Sequence, residues 1–291
     1  TKEKLLGKFS PSLESEEQLS TKEAFACNEW KTIPDIWRTS AEKFGDLTAV
    51  SDPYHDPPTS FTYKQLEQEI LDFCEGLRVI GLEPDEKIAL FADNSCRWLV
   101  SDQGIMASGA INVVRGTRSS SQELLQIYNH SESVALVLDD PELYNRISEA
   151  FLLQAKIRFI VFLWGEKSGA INEAVDTPVY SYKDVIGFGV ASRAGLYHAE
   201  AARKEYTYKT ISPDDIATIV YTSGTSGNPK GVMLAHRNLL HQVMTLWDVV
   251  PAVPTDRFLS MLPPWHAYER AAEYFSFTRG VEHVYTSVKN L

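Results

Sequence analysis

The chain of 291 residues has no apolar run long enough to cross a membrane. The longest, Phe159-Ile160-Val161-Phe162-Leu163-Trp164, is far shorter than the roughly 18–20 residues a spanning helix needs, and it suits a buried strand. Cysteine is scarce. Cys27, Cys74 and Cys96 are odd in number and spaced for neither a zinc site nor a disulfide framework, so a reducing compartment with buried or incidental thiols is expected. Positive charge is in deficit: 28 Lys and Arg against 39 Asp and Glu give a formal charge of −11. That balance excludes a protein built to wrap nucleic-acid phosphates, and no nucleic-acid partner is expected. Neither the apolar stretch of a secretory signal nor an acid-poor transit segment is visible, and there is no internal repeat or low-complexity tract. The chain begins at Thr1 without methionine and ends at Leu291 straight after a strand-like stretch. Both natural ends, with any targeting segment, are expected to lie outside it.

What is present is an ordinary globular balance, 44% hydrophobic and 23% charged residues, enough for a sizeable core in one large or two small domains. Residues 1–30 are polar, mixed in charge and without sustained periodicity, and are expected to form an arm. From Ile33 onward helix-like and strand-like patterns alternate. Pro34 and Asp35 suit a helix start and Gly45 its end; Leu66, Ile70, Phe73 and Leu77 recur at helical spacing up to Gly81. Thr48–Val50 and Phe61–Tyr63 read as short strands, followed by strand candidates at 87–92, 111–114, 134–138, 158–163, 216–221, 257–262 and 281–285. Strands separated by helix-length segments predict an α/β fold with a mostly parallel sheet covered by helices. The stretch from about Gly165 to Ser212 is the least regular and reads as a linker or insertion.

One passage differs from the rest: YTSGTSGNPKGVMLAHRNLL, residues 221–240. Thr222, Ser223, Thr225 and Ser226 bring hydroxyls, Gly224 and Gly227 allow close backbone approach, and Lys230 adds a fixed cation. These groups are equipped to hold phosphates. The preceding run Ile216–Val220 reads as a buried strand and His236–Val249 as a helix, which would put a ligand at the carboxyl end of a sheet strand. A plain surface turn has the same composition, but this loop is long and ordered. It is neither a Walker A loop nor a GxGxxG turn, since Lys230 is followed by Gly231 and preceded by Pro229.

Residues 221–232 closely resemble the phosphate loop of the AMP-forming acyl- and aryl-adenylating enzymes, the superfamily of acyl-CoA synthetases, firefly luciferase and peptide-synthetase adenylation domains. Downstream, Leu262-Pro263-Pro264-Trp265-His266-Ala267-Tyr268-Glu269-Arg270 resembles the LPLxHxxER segment of long-chain acyl-CoA synthetases. Phe61-Thr62-Tyr63-Lys64-Gln65-Leu66 and Ala92-Asp93-Asn94-Ser95-Cys96-Arg97-Trp98 resemble the family's N-terminal subdomain. Ile111-Asn112-Val113-Val114-Arg115-Gly116-Thr117-Arg118 departs from the usual Pro-x-Tyr-x-Thr and is more similar to the plant and cyanobacterial branch that ligates long-chain fatty acids to acyl carrier protein. Ala235 stands where many members place Ser or Thr, so the helix at His236 is expected to lack a side-chain cap, a loss of about 1 kcal/mol.

The resemblance implies a partial N-terminal adenylation domain over 31–291, with layered, mostly parallel sheets left incomplete and the C-terminal lid domain absent. It implies a two-step ligase. A long-chain fatty carboxylate attacks the α-phosphorus of ATP, pyrophosphate leaves, and the acyl-adenylate is opened by a thiol of acyl carrier protein or, alternatively, of CoA. A superfamily member acting on aryl, amino or medium-chain acids, and a non-catalytic ATP-binding relative, remain as other readings. Thr222, Ser223, Gly224, Thr225, Ser226, Gly227 and Lys230 would grip the β- and γ-phosphates, with the Thr222 hydroxyl contacting Mg²⁺. Lys230 and His266 are the catalytic candidates, His266 for orienting substrate. Trp265 and Tyr268 would wall an acyl tunnel or serve as packing, and Glu269 and Arg270 would form a local ion pair. Arg115 and Arg118 would meet an acidic carrier protein or serve solubility. His55, His130, His198 and His241 read as solvated or capping residues, and Asp139-Asp140-Pro141 as a helix start and not an acid–base pair. Plastid residence follows from the branch resemblance, with the cytoplasm as alternative. The family's Tyr-Gly-x-Thr-Glu segment, ribose-binding Asp and C-terminal lysine would lie beyond Leu291, so the 291 residues alone are expected to turn over little or no fatty acid.

Overall fold

A computed structural model describes residues 30–165, 177–197, 211–222 and 229–287. Most of the expected N-terminal arm, Cys27, His198 and the middle of the phosphate loop lie outside the described residues. The elements run α1 (Asp35–Phe44), β1 (Thr48–Asp52), β2 (Thr59–Thr62), α2 (Tyr63–Val79), β3 (Lys87–Phe91), α3 (Cys96–Ala107), β4 (Ile111–Arg115), α4 (Ser121–Ser131), β5 (Ala135–Leu138) and α5 (Pro141–Gln154). They continue with β6 (Ile160–Phe162), β7 (Val179–Ser181), α6 (Tyr182–Tyr197), β8 (Ile216–Thr222), β9 (Lys230–Ala235), α7 (His236–Trp247), β10 (Arg257–Ser260), α8 (Ala267–Thr278) and β11 (Glu282–Tyr285). Two sheets result, one of seven strands ordered β7-β6-β5-β3-β4-β8-β9 and one of four ordered β10-β11-β1-β2. Among the described residues, only the β1–β2 and β8–β9 pairs are antiparallel. None of the described helices is long and apolar enough to cross a membrane.

The central strands are mostly apolar because both faces of the seven-stranded sheet are covered. Ile88 and Leu90 of β3 point into one core cluster with Leu66, Ile70 and Phe73 of α2 and Trp98 and Leu99 of α3. Their alternates, Ala89 and Phe91, point into a second with Leu124 and Tyr128 of α4 and Ile147 and Phe151 of α5. A third cluster joins α1, α7 and α8 through Ile36, Leu239, Val243 and Phe275.

Local sequence sets the helix starts. The Thr62 hydroxyl accepts from Gln65 N at 3.3 Å while Gln65 Oε1 accepts from Thr62 N at 2.9 Å, a reciprocal capping box. Ser95 and Asp140 cap α3 and α5 through Trp98 N and Leu143 N. Ala235 offers no side-chain cap to α7, as expected; Asn238 Oδ1 reaches back to accept from Ala235 N at 2.9 Å.

Two stretches correct the sequence reading. Within the segment read as irregular, Val179–Ser181 is the edge strand β7 and Tyr182–Tyr197 is the helix α6. Gly187, Gly189 and Gly195 weaken the helical signal there. Gly189 exists for packing: a Cβ on it would lie 1.8 Å from the Asp72 carbonyl oxygen, and one on Gly76 of α2 would lie 1.9 Å from the Val185 carbonyl oxygen. The two helices therefore touch backbone to backbone. Lys230–Ala235, read as the end of a loop leading into a helix, is instead a strand returning antiparallel to β8.

Candidate functional site

The loops leaving the carboxyl ends of β3, β4, β5 and β8 meet at one edge of the seven-stranded sheet, the edge where open α/β sheets bind ligands. The segment singled out in the sequence bridges β8 and β9. Thr222 pairs with Lys230 in the ladder, so the hydroxyl and the ammonium flank the two ends of the connection, both exposed. Ser223, Gly224, Thr225, Ser226 and Gly227 lie outside the described residues.

Asp139 and Asp93 fasten three of these loops together. Asp139 Oδ1 accepts from Asp93 N at 3.2 Å, and Asp93 Oδ1 accepts from Thr117 N at 3.3 Å. Burial pushes the Asp139 carboxyl up to about 7, against the hydrogen bond from Asp93 N, which lowers it. Asp139 is thus no helix cap; Asp140 alone caps α5. Asn94 Nδ2 donates to Ser260 Oγ at 2.8 Å and to the Leu262 carbonyl at 3.2 Å, tying the end of β10 to the same edge. Sequence reasoning quoted Asp93 and Asn94 as part of a motif and gave them no role, because a loop's tertiary neighbours leave no periodic signal.

Arg115, expected to face a partner or solvent, is engaged inside the protein. Its Nε donates to Ser119 Oγ at 3.0 Å, Nη1 to the Tyr221 carbonyl at 3.2 Å and Nη2 to Glu123 Oε1 at 2.6 Å. Arg118 is exposed. Between them and Trp265 lies a cavity of about 320 Å³. Trp265 is half-buried, and its ring lies so close to Gly116 that a Cβ there would meet Cζ2 at 2.2 Å. Tyr268 is 68% exposed.

His266 caps α8, its Nδ1 accepting from Tyr268 N at 3.3 Å, with the imidazole otherwise exposed. The expected Glu269–Arg270 pair does not form, because adjacent helix residues point about 100° apart and here reach different partners. Glu269 accepts from Ser260 Oγ at 2.8 Å. Arg270 is fully buried, pairs with Asp102 of α3, and donates to Thr218 Oγ1 of β8 at 2.8 Å. Tyr274 also donates to Asp102. This buried network sets α8, which carries His266, against β8, which carries Thr222. His55 and His130 are also partnered, with Asp52 and with the Tyr221 hydroxyl, each at 2.7 Å.

Among the described residues no group of three or more His, Cys, Asp or Glu side chains is arranged to hold a metal ion. Thr222 offers one hydroxyl oxygen, a donor set that fits a Mg²⁺ arriving on nucleotide phosphates, which keeps phosphate and water oxygens as its other ligands.

The family model described as AMP-binding enzyme matches residues 37–290. The chain is 63% identical over 289 residues to "Probable acyl-activating enzyme 16, chloroplastic" of Arabidopsis thaliana, covering 99% of this chain and 40% of that protein. It is 62% identical over 291 residues to a chloroplastic long-chain-fatty-acid–[acyl-carrier-protein] ligase of the same plant, covering 100% of this chain and 40% of that protein. The human long-chain-fatty-acid–CoA ligase 1 is 29% identical over 233 residues, 76% of this chain and 31% of that one. The chain therefore spans about two fifths of the length of its plant relatives. A long-chain-fatty-acid-CoA ligase structure from Archaeoglobus fulgidus superposes with a TM-score of 0.72 at 24% identity, covering 87% of this chain and 46% of that one. The N-terminal domain of FACL13 from Mycobacterium tuberculosis gives 0.68 at 22% identity, covering 88% and 57%. These two share the α/β fold.

Proposed function

Because the chain belongs to the AMP-binding enzyme family, we propose that it is the front part of a ligase that activates a long-chain fatty acid with ATP through an acyl-adenylate. The acyl group then passes to the thiol of acyl carrier protein. The observation that carries this reading is the 62% identity to the Arabidopsis carrier-protein ligase along the whole chain. The β8–β9 hairpin, with Thr222 paired to Lys230, supports it.

Bringing a carboxylate to a triphosphate opposes two anions, so the chain's task is positioning and charge compensation. Lys230 would hold the β- and γ-phosphates by charge, together with the hydroxyls and backbone of Thr222, Ser223, Gly224, Thr225, Ser226 and Gly227. Thr222 is the residue that would contact Mg²⁺, which when bound neutralises charge on the phosphate oxygens. His266, exposed at the start of α8, would orient the acyl substrate. Plastid residence belongs to the same reading, since both plant relatives are named chloroplastic.

The test is the full-length protein with palmitate and ATP, offered either acyl carrier protein or CoA. Palmitate-dependent pyrophosphate release with acyl transfer to the carrier protein is expected. Transfer to CoA alone would replace the acceptor, and no palmitate-dependent release with either would refute the ligase.

A further inference from the structure

The parallel ladder between β4 and β8 runs Asn112↔Thr218, Val113↔Ile219 and Val114↔Val220, and stops there. The next pair in register would be Arg115 and Tyr221. β4 ends at Arg115, and Gly116 after it lies close against the Trp265 ring. On that side, backbone pairing no longer supports the last turn-off of β8, one residue before Thr222. A strand end that loses its ladder has a carbonyl in need of a donor. The Arg115 guanidinium supplies it, with Nη1 on the Tyr221 carbonyl at 3.2 Å.

The rest of the fork is spent on fixing the guanidinium. Glu123 Oε1 accepts from Nη2 at 2.6 Å and Ser119 Oγ from Nε at 3.0 Å, and the two side chains of the ion pair are only 22% and 27% exposed. The loop that carries Ser119 is itself held. Arg146 donates to the Ser119 carbonyl at 2.9 Å and to the Thr117 carbonyl, and Asp93 accepts from Thr117 N. The Tyr221 side chain is anchored separately by His130 at 2.7 Å. Tyr221, the residue that launches the 222–230 segment, is thus held by its carbonyl to Arg115 and by its hydroxyl to the last turn of α4. A planar fork with five donors can make these three contacts at once, which an ammonium cannot.

We propose that Arg115 is a positioning residue for nucleotide binding: a side-chain latch that continues the β4–β8 ladder and sets where the 222–230 segment begins. It acts through Tyr221 and touches no substrate. The inference rests on the phosphate-binding role proposed for that segment. It also withdraws Arg115 from docking a carrier protein, since three internal contacts hold its guanidinium against the protein.

The experiment compares full-length parent, Arg115→Gln and Arg115→Lys in palmitate-dependent ATP–pyrophosphate exchange, alongside thermal melting and amide hydrogen exchange without nucleotide. For Arg115→Gln the KM for ATP is expected to rise about tenfold, the size of one lost charge-assisted contact. The KM for palmitate should stay within about twofold and the melting temperature near the parent's. Arg115→Lys should recover part of the ATP effect. Amide exchange at Tyr221, Thr222 and Gly231 should quicken in Arg115→Gln while Val113 stays protected. Unchanged KM for ATP, or equal rises for both substrates with a lowered melting temperature, would overturn the latch. If the parent shows no palmitate-dependent exchange, the ligase reading has failed. The latch is then decided by the amides: faster local exchange upholds it and identical exchange refutes it.

Discussion

His283 shows how a residue's chemistry is decided by its neighbours. On β11 its ring stacks on Phe277 at 4.4 Å and lies 4.8 Å from Phe258. Neither ring nitrogen has a hydrogen-bond partner among the described residues, and burial holds the imidazole down at about 3. In the unfolded chain the ordinary value is 6.5. As pH falls below 6.5 the unfolded state takes a proton that the folded state refuses until about 3, so stability is lost across that window. His236, held at about 4 by burial, contributes in the same direction. His283→Phe is expected to stabilise the protein by about 1–3 kcal/mol at neutral pH by removing an unsatisfied buried polar group. Denaturant titrations from pH 7 to 4 should show the variant losing less stability than the parent; parallel profiles would refute this account. Asp139 and Asp140 make a related point. Adjacent and identical in type, one is a buried acceptor raised to about 7 and the other caps a helix.

At the scale of elements, the buried pair Arg270–Asp102 decides how α8 meets α3 and β8. Desolvation lowers the Arg270 pKa, but the Asp102 carboxylate and the Tyr274 hydroxyl beside it win and hold it above its ordinary value, so it stays charged. Breaking such a pair strands one charge, at a cost of about 3–5 kcal/mol, whereas removing both partners costs much less. Arg270→Met and Asp102→Leu are each expected to lower the urea midpoint sharply, and the double variant to recover part of the loss. Additive losses would mean that the two charges do not depend on each other. The period of α2 (Leu66, Ile70, Phe73, Leu77) and the Asp140-Pro141 start of α5 were legible because those signals lie within a few residues of one another. Thr218 and Asp102, which bind Arg270, are 52 and 168 positions away in the chain, a separation no local pattern encodes. The helix α6 was missed for a similar reason, since its Gly189 answers to the backbone of α2 and not to helix propensity.

At the scale of the molecule, the alternation of strand and helix patterns predicted the mostly parallel sheet, and the fold agrees. The residues 1–291 alone are expected to release little or no pyrophosphate from ATP in the presence of palmitate. The resemblance places further nucleotide-binding segments after Leu291, and the chain spans 40% of its plant relatives. A fatty-acid-dependent release by the isolated piece, measured with a coupled pyrophosphate assay, would contradict that expectation.

The sequence by itself determined most of the strands and helices and the phosphate-loop motif, because hydrophobic period and ordered Gly, Ser and Thr are local properties. Tertiary structure alone decided that Lys230 begins a strand opposite Thr222, that Arg270 is buried with Asp102, and that Arg115 holds the Tyr221 carbonyl. Each of these depends on which distant groups share a strand ladder or a dry interior, and only the folded chain brings those groups together.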